Sequence, residues 1–386
     1  MERPARTVRV RRKQDRGKPD LHAGYRAMRA KPTTRRVKGF GLIELMIAMA
    51  IGLVVAAGVI VIFVAERQVY SNSSAQALIQ DADNAISAVI SPVARGTGFV
   101  GCGAISRGIV SYIGTHATPL TFDTTSSVKG FTGTVPTQVV DNSANDTTAK
   151  DWTPALDASL VKAGGAEQGS DVISMIGAAP GASPIGVQAP VLGSPIQVND
   201  VSQLNKINSG GPQMVAISDC GKSSAFEITS ISGTNLAFAS GPNGTPAYPK
   251  DSQIIPLQQT VFFVGKGDSG QSALFRGVMT LPANGAASGA AWTVTEMVPG
   301  VIAMKALYGI GPASQATEYV DASGVTDWSA VTTVRLGFLV EGNLGSAPMP
   351  SGPQTYQVLN AAITVPADTR LRHVFNMTIN PRNDTL

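Results

Sequence analysis

The sequence contains few of the residue types on which catalytic and metal sites usually depend. Its 386 residues include 3 histidines and 2 cysteines, and charged residues make up only 15% of the chain. Beyond residue 40 the histidines are His116 and His373, and neither stands in a motif typical of a catalytic triad. No Asp and Asn residues have the spacing of an EF-hand, and no glycine-rich loop follows a strand pattern so as to hold a phosphate. We therefore expect no enzymatic activity, no cofactor and no metal.

The two cysteines, Cys102 and Cys220, are too few for a structural zinc site, which usually has four ligands. In an oxidising compartment such a pair is more typical of a disulfide. The alternative is two separate buried thiols, and spacing alone does not decide between them.

The positive charge is concentrated at the N-terminus. Residues 1–39 contain 14 Lys or Arg and 3 acidic residues, a net charge of +11, whereas the rest contains 16 basic and 23 acidic residues, a net charge of −7. A basic flank before an apolar segment marks the cytoplasmic side of a membrane, so the remainder is predicted to lie across it. A basic arm could instead bind nucleic acid. Membrane orientation explains the same charges with fewer assumptions, and the acidic remainder suits nucleic acid poorly.

Residues 40–65 form an apolar run in which Glu44 is the one ionisable side chain. At about 1.5 Å per residue the run makes a helix of about 39 Å, enough to cross a bilayer core of about 30 Å. It is longer than the apolar region of a signal peptide, and no A-x-A cleavage site follows it, which predicts a helix that is retained. A charge near the bilayer centre costs at least about 2.5 kcal/mol, so Glu44 indicates a function and needs a partner.

Residues 66–92 are predicted to continue this helix in amphipathic form. Apolar residues recur there every three or four positions, which favours a helix packed against a sheet. The stripe comprises Leu78, Ala82, Ala85, Ile86, Val89 and Val93. Pro92, followed by Gly96 and Gly98, predicts that the helix ends near Ile90.

From Phe99 onward the pattern changes to short β-type runs separated by Gly, Ser, Asn and Pro. The predicted strands are 171–176, 214–218, 225–231, 235–239, 260–265, 272–278, 292–298, 331–340 and 370–379. Residues 331–340 alternate as a half-buried strand does, and residues 300–310 are ambiguous between a helix and a strand. Segments 116–170 and 281–291 are predicted to be long surface loops. The expected fold class is α+β: a long N-terminal helix packed on a large β-rich globular domain, residues 99–386.

Two further motifs need an interpretation. The stretch KGDSGQS, residues 266–272, contains the surroundings of a protease nucleophile at Ser269, but its Gly, Asp and Ser suit a hairpin turn better. The stretch RLRHVF places Arg370 and Arg372, together with Lys305, where they could reach a partner. The alternative is the solvated face of a strand.

The stretch KGFGLIEL, residues 38–45, resembles the processing site of type IV prepilins. The resemblance implies that residues 1–39 are a leader, which prepilin peptidase removes by cutting between Gly39 and Phe40. It also implies N-methylation of Phe40 and makes Glu44 the fifth mature residue.

Three features depart from that pattern. Gly41 stands where Ser or Thr is usual, and Val61 stands where major pilins have proline. The leader is also long for this family. A start at Met28 instead of Met1 would give a 12-residue leader, MRAKPTTRRVKG, and we expect that start.

The remainder is similar to PilW-type minor pilins in the stretches FVGCGA, VAISDCGKSSAFEITSI, ALFRGV, VPGVIAMKALYGI, WSAVTTVRLGFLV and RLRHVFNMTINPRN. The resemblance implies a type IV pilin-like fold and a structural subunit without catalysis. The subunit would be anchored in the inner membrane with its globular domain in the periplasm, and would later lie in the pilus at the cell surface. Implied partners are prepilin peptidase, other minor and major pilins, and a tip adhesin; no nucleic-acid binding is expected.

The resemblance further implies that the protein primes pilus assembly and supports adhesion and twitching motility. Glu44 is expected to pair with the amine freed at Phe40, on a neighbouring subunit or on its own chain. One alternative is a pseudopilin of type II secretion, GspJ-like, which has the same helix and cleavage site. Another is a membrane-tethered enzyme or binding protein that never polymerises.

Overall fold

The computed structural model describes residues 39–102, 109–113, 126–133, 151–156, 160, 165–209, 211–244, 248–281, 291–311 and 315–381. The predicted leader up to residue 38, with Met28, lies outside these residues, as does His116. Residues 61–386 form one compact unit, and residues 39–60 carry the first part of a long helix.

Helix α1 is Leu42–Gly96 and helix α2 is Ser202–Ile207. The strands among the described residues are β1 Val110–Ser111, β2 Val128–Gly133, β3 Trp152–Thr153, β4 Val172–Ala178, β5 Ile185–Gly186, β6 Ile196–Gln197, β7 Gln213–Ser218, β8 Ser223–Ile228, β9 Ser230–Ser232, β10 Asn235–Ala237, β11 Gln253–Lys266, β12 Ser272–Thr280, β13 Ala291–Pro299, β14 Val301–Ile310, β15 Glu318–Val320, β16 Val331–Glu341, β17 Gln354–Val358, β18 Ala361–Val365 and β19 Arg372–Ile379. The predicted α+β class is confirmed.

The predicted end of α1 near Ile90 is wrong, because the helix continues through Pro92 to Gly96. An internal proline costs about 3 kcal/mol. Beyond it, however, Val93 and Ala94 are buried, and burying a valine side chain alone contributes roughly 1.5–3 kcal/mol. The helix ends where its backbone meets β4: a Cβ on Gly96 would lie 2.6 Å from the carbonyl oxygen of Ala178.

The amphipathic part of α1 packs on sheets, as predicted. Its buried stripe comprises Ala75, Ile79, Ala82, Ile86, Ile90 and Val93. Leu78, predicted to belong to it, is 45% exposed and lies at its margin. The stripe shares a core with residues of two different sheets, among them Phe262 of β11 and Phe338 of β16.

The largest sheet has β11 as its central strand and the order β1-β8-β7-β11-β4-β2-β3. Strands β4 and β5 pair with one edge of β11, and β7 and β12 pair with successive parts of the other edge. A second sheet has the order β15-β14-β16-β19, and smaller sheets are β6-β10-β9 and β17-β18.

Every predicted strand is present, with shifted bounds, and the ambiguous segment 300–310 contains strand β14. Strand β16 is not half-buried as predicted, because the core beneath α1 covers one face and Val358, Ile363 and Val365 of the β17–β18 hairpin cover the other. The surface-loop prediction for 116–170 is wrong in part. Strand β2 pairs with β4, and Trp152 is 2% exposed with its indole N–H donating to the carbonyl oxygen of Ser170 at 2.8 Å.

A buried ion pair joins β14 to the segment before β4. Asp171 accepts hydrogen bonds from Lys305 Nζ at 3.1 Å, from the backbone N–H of Gly133 at 3.0 Å and from that of Ala306 at 2.9 Å. Burial raises the pKa of Asp171, and the nearby Lys305 and the backbone donors act against that rise. The hypothesis that Lys305 is available to a partner is therefore wrong, since its charge is used inside the protein.

A second buried carboxylate belongs to Glu167, which is 9% exposed. The hydroxyl of Ser272 donates to its two oxygens at 3.0 and 2.9 Å. Burial raises the pKa of Glu167 to about 7; Glu341 raises it further, and Ser272 and Lys266 lower it. Sequence reasoning missed both carboxylates. For Asp171 the one signal is its position directly before the apolar run VISMI, and Glu167 carries no such signal.

Replacing Asp171 with Asn should destabilise the protein, because it leaves the buried ammonium of Lys305 without its counter-charge. We expect the free energy of unfolding to fall by about 3–5 kcal/mol, measured by denaturant titration of the full chain in detergent. The matched control is Asp81→Asn on the exposed face of α1, which should change it by less than about 0.5 kcal/mol. Equal effects of the two substitutions would contradict the internal role of the pair.

The raised pKa of Glu167 predicts a pH-dependent stability. Between the ordinary value of 4.5 and the folded value of about 7, the folded state binds a proton that the unfolded state releases. This contribution is complete below 4.5 and is lost as the pH rises through about 7, on the order of 3 kcal/mol in all. Denaturant titrations across this range should show a slope in the parent that Glu167→Gln reduces. The exposed Glu318→Gln should keep the parent's slope; an undiminished slope in Glu167→Gln would refute the assignment.

Candidate functional site

The candidate site is the start of α1, where the sequence places its processing motif. The backbone N–H of Leu45 donates to the carbonyl oxygen of Gly41 at 3.2 Å, so Gly41 is the N-cap residue. Glu44 is then the third residue of the helix, and its carboxylate accepts the backbone N–H of Gly41 at 3.2 Å. This is one half of a capping box, and a negative charge in the first turn also suits the helix dipole.

This geometry turns the Glu44 carboxylate back toward the predicted cleavage position. Phe40 is 87% exposed, and a Cβ placed on Gly39 would meet no atom within 4 Å, so the backbone here is open to approach. A Cβ on Gly41 would lie 3.9 Å from the Glu44 carboxylate, an ordinary contact. Gly41, which stands where the prepilin pattern usually has Ser or Thr, therefore makes no difference to the packing here, because either side chain would fit at this position.

The apolar run is exposed along its length in the isolated chain. Among the described residues α1 is the one helix long and apolar enough to cross a membrane, and none of its most apolar part is buried. The helix passes through Val61 without a break. The absence of a proline there leaves a regular helix suited to anchoring the chain in a membrane.

The predicted pairing of the cysteines is confirmed, since Cys102 and Cys220 form a disulfide with their Cα atoms 4.7 Å apart. Cys220 lies in the turn between β7 and β8 with a positive φ of 66°. The Asp219 carboxylate steadies this turn by accepting the backbone N–H groups of Gly221 and Lys222. The bond ties the segment that follows α1 to the central sheet.

The arginines of RLRHVF are internal. The Arg372 side chain is 5% exposed and donates to Glu341 at 2.9 Å and to Asp368 at 2.6 Å. Arg370 donates to the carbonyl oxygen of Gly342 at 3.1 Å and lies 3.7 Å from Glu341. Both earlier interpretations, a partner-binding group and a solvated strand face, are wrong for Arg372.

The GDSG stretch is a hairpin turn, as interpreted from the sequence. The backbone N–H of Gly267 donates to the carbonyl oxygen of Gln271 at 2.7 Å between the paired strands β11 and β12. The Nδ1 atom of His373 in β19 lies 3.5 Å from Oδ2 of Asp83 in α1, so this contact joins the strand to the helix. Within the described ranges no group of three His, Cys, Asp or Glu side chains could hold a metal ion.

Comparison with known families matches two separate parts of the chain. The family model described as prokaryotic N-terminal methylation motif matches residues 34–60, which include Gly39, Phe40 and Glu44. The model described as type IV pilus-assembly protein W matches residues 261–383, from within β11 through β19. A comparison with curated proteins finds no match. With the methylation motif at the start of an exposed apolar helix and the PilW match on the β-rich domain, the chain is similar to PilW-like type IV pilins in these two parts.

Proposed function

We propose that the protein is a minor pilin precursor, cut by prepilin peptidase between Gly39 and Phe40 and N-methylated on Phe40, which then acts as a structural subunit without catalysis. The observation that carries this proposal is Glu44 in the first turn of an exposed apolar helix, with its carboxylate facing back along the chain. A plain membrane anchor has no need of a charge within its apolar run.

Cleavage would supply the partner that Glu44 lacks. The cut creates an ammonium at Phe40, next to the Gly41 N–H to which the carboxylate is already bonded. In a bundle of subunit helices the amine could come from the same chain or from a neighbour. Either pairing keeps the charge compensated in an apolar surrounding, where losing one partner of a buried pair costs about 3–5 kcal/mol.

The proposed location is the inner membrane, with the globular domain in the periplasm and afterwards in the pilus at the cell surface. The net charge of +11 in residues 1–39 supports a cytoplasmic leader. The disulfide between Cys102 and Cys220 supports an oxidising compartment for the globular domain.

The proposed role is to prime pilus growth together with other minor and major pilins, and so to support adhesion and twitching motility. A type II secretion pseudopilin would share the helix and the cleavage, but the PilW match over residues 261–383 favours the pilus. A tethered protein that never polymerises is the remaining alternative, and processing separates it from the other two.

Processing is tested by the intact mass of the chain purified from membranes, which should begin at Phe40 and carry one added methyl group. Gly39→Val should abolish cleavage, because a branched side chain blocks the close approach of the peptidase to the backbone. The matched control Gly41→Ser should be cleaved normally, since a Cβ there meets Glu44 at an ordinary 3.9 Å. A parent chain that keeps residues 1–39 would refute the proposal.

Assembly is tested by Glu44→Ala and Glu44→Gln, both of which should be cleaved but should enter pili poorly. Because each removes the negative charge that neutralises the freed amine, we expect at least about a tenfold loss of the subunit from sheared pili, measured by quantitative immunoblot. Glu66→Gln, which removes an exposed carboxylate of α1 beyond the apolar run, is the control and should assemble normally. Normal incorporation of Glu44→Gln would exclude the charge pairing.

A further inference from the structure

The loop that follows β16 runs along α1 toward the apolar run. A Cβ built on Gly342 would lie 2.9 Å from the Cβ of Ala75, and the carbonyl oxygen of Gly345 accepts from the hydroxyl of Ser71 at 2.9 Å. Ser71 lies about one helical turn, or about 6 Å, closer to the apolar run than Ala75 does. The chain therefore approaches the apolar run between these two contacts. We call residues 342–347 the helix-side loop.

The tip of the helix-side loop is a tight turn that carries an exposed leucine. Leu344 and Gly345 form the turn, and Gly345 has a φ of 83°, which glycine adopts without strain. The turn is held in place by the fully buried Ser346, whose hydroxyl donates to the carbonyl oxygen of Asn343 at 2.6 Å and accepts from the backbone N–H of Leu371 at 2.9 Å. Leu344 is nevertheless 66% exposed. The fold thus presents an apolar side chain at the end of a fixed loop.

The loop tip lies close to the point where α1 leaves the predicted membrane core. The apolar run ends at Ala65, and Ser71 follows six residues, or about 9 Å, later. Each headgroup region of a bilayer is about 5–8 Å thick, so Ser71 and the loop tip beside it are expected at the outer boundary of the headgroups. The side chains of α1 at this level agree with that position. Arg67 lies over the ring of Phe63 at 5.2 Å, Tyr70 is 79% exposed, and Arg and Tyr are typical of the membrane boundary.

The composition of the helix-side loop suits a lipid surface. The sequence has no charged residue between Glu341 and Asp368, so no charge of the loop must lose its hydration when the tip meets the membrane. The irregular backbone of the loop must stay among the hydrated headgroups, because unpaired backbone groups are too costly in hydrocarbon. A leucine side chain can extend from that level toward the acyl chains, as the apolar side chains of interfacial helices do.

We propose that the helix-side loop is a second membrane contact of the protein, in which Leu344 inserts into the lipid surface beside α1. A single spanning helix does not by itself fix its rotation or tilt, which depend on packing and on anchors at the membrane boundary. A contact beside the helix fixes which side of the globular domain faces the membrane.

The membrane is the occupant that the position of the loop favours. A neighbouring copy of the chain could also cover Leu344, but the end of the apolar run brings lipid to the loop in every single chain. The proposal rests on the insertion of α1 in a membrane. It does not rest on cleavage after Gly39 or on the pairing of Glu44.

The test uses the full chain in lipid nanodiscs, one chain to a disc, with a nitrobenzoxadiazole fluorophore on an introduced cysteine. The native cysteines form a disulfide and do not react with the label. The probe sites are Leu344→Cys and the matched control Leu192→Cys, whose side chain is 69% exposed and follows a core residue, Val191, in a cluster that contains no described residue of α1. Lipids with a nitroxide at the top of the acyl chain should quench the probe at position 344 at least about threefold more strongly than the probe at position 192. Soluble iodide should show the reverse order.

A second series separates the effect of Leu344 from that of the label, which is itself apolar. The probe is placed on Asn343→Cys, an exposed position of the same turn. Leu344→Ser should reduce its quenching by lipid at least about threefold, Leu344→Met should keep it, and Leu192→Ser should leave it unchanged. Each variant should keep the thermal midpoint of the parent, because both leucine side chains are exposed.

Two results would overturn the proposal: equal lipid quenching of the probes at positions 344 and 192, or quenching of the Asn343→Cys probe that survives Leu344→Ser. Protection of the 344 probe from iodide that appears only when several chains share a disc would identify a contact between copies instead. A further probe at Val54→Cys, within the apolar run, reports on α1 itself. Its failure to be quenched by lipid would refute the membrane anchor of the proposed function together with the loop contact.

Discussion

The packing of one apolar stripe of α1 against two sheets is the constraint on which the rest of the globular domain depends. Ile86 and Ile90 are fully buried and contact a core that contains both Phe262 of the large sheet and Phe338 of the smaller one. Each sheet has its own second core on the face away from the helix. The two sheets therefore share the helix as their common partner, which explains why α1 continues past Pro92 in spite of the cost.

Some charges of the globular domain neutralise each other inside it. Lys305 neutralises Asp171 in the core, and Arg372 neutralises Glu341 and Asp368 at the end of β16. Such pairs contribute little net stability over apolar residues of the same volume, but breaking one leaves a charge buried without a partner. These pairs join segments that are distant in sequence: Lys305 lies in β14 and Asp171 precedes β4.

Glu44 defines the proposed contact of the apolar part of α1. It lies in the first turn of the helix and accepts the backbone N–H of Gly41, and its proposed partner is the amine that processing creates. The negative charge and the direction of the carboxylate would together select that amine.

The sequence by itself determined the local features. The apolar run, the basic segment before it and the short β-type runs depend on neighbouring residues, so α1, the central strands and the processing motif around Glu44 could be predicted. Tertiary structure decided what depends on contacts distant in sequence: the passage of α1 through Pro92, the second covered face of β16, and the burial of Lys305 and Arg372. Periodicity shows which face of an element is apolar, whereas the burial of a charge depends on which other segment packs there.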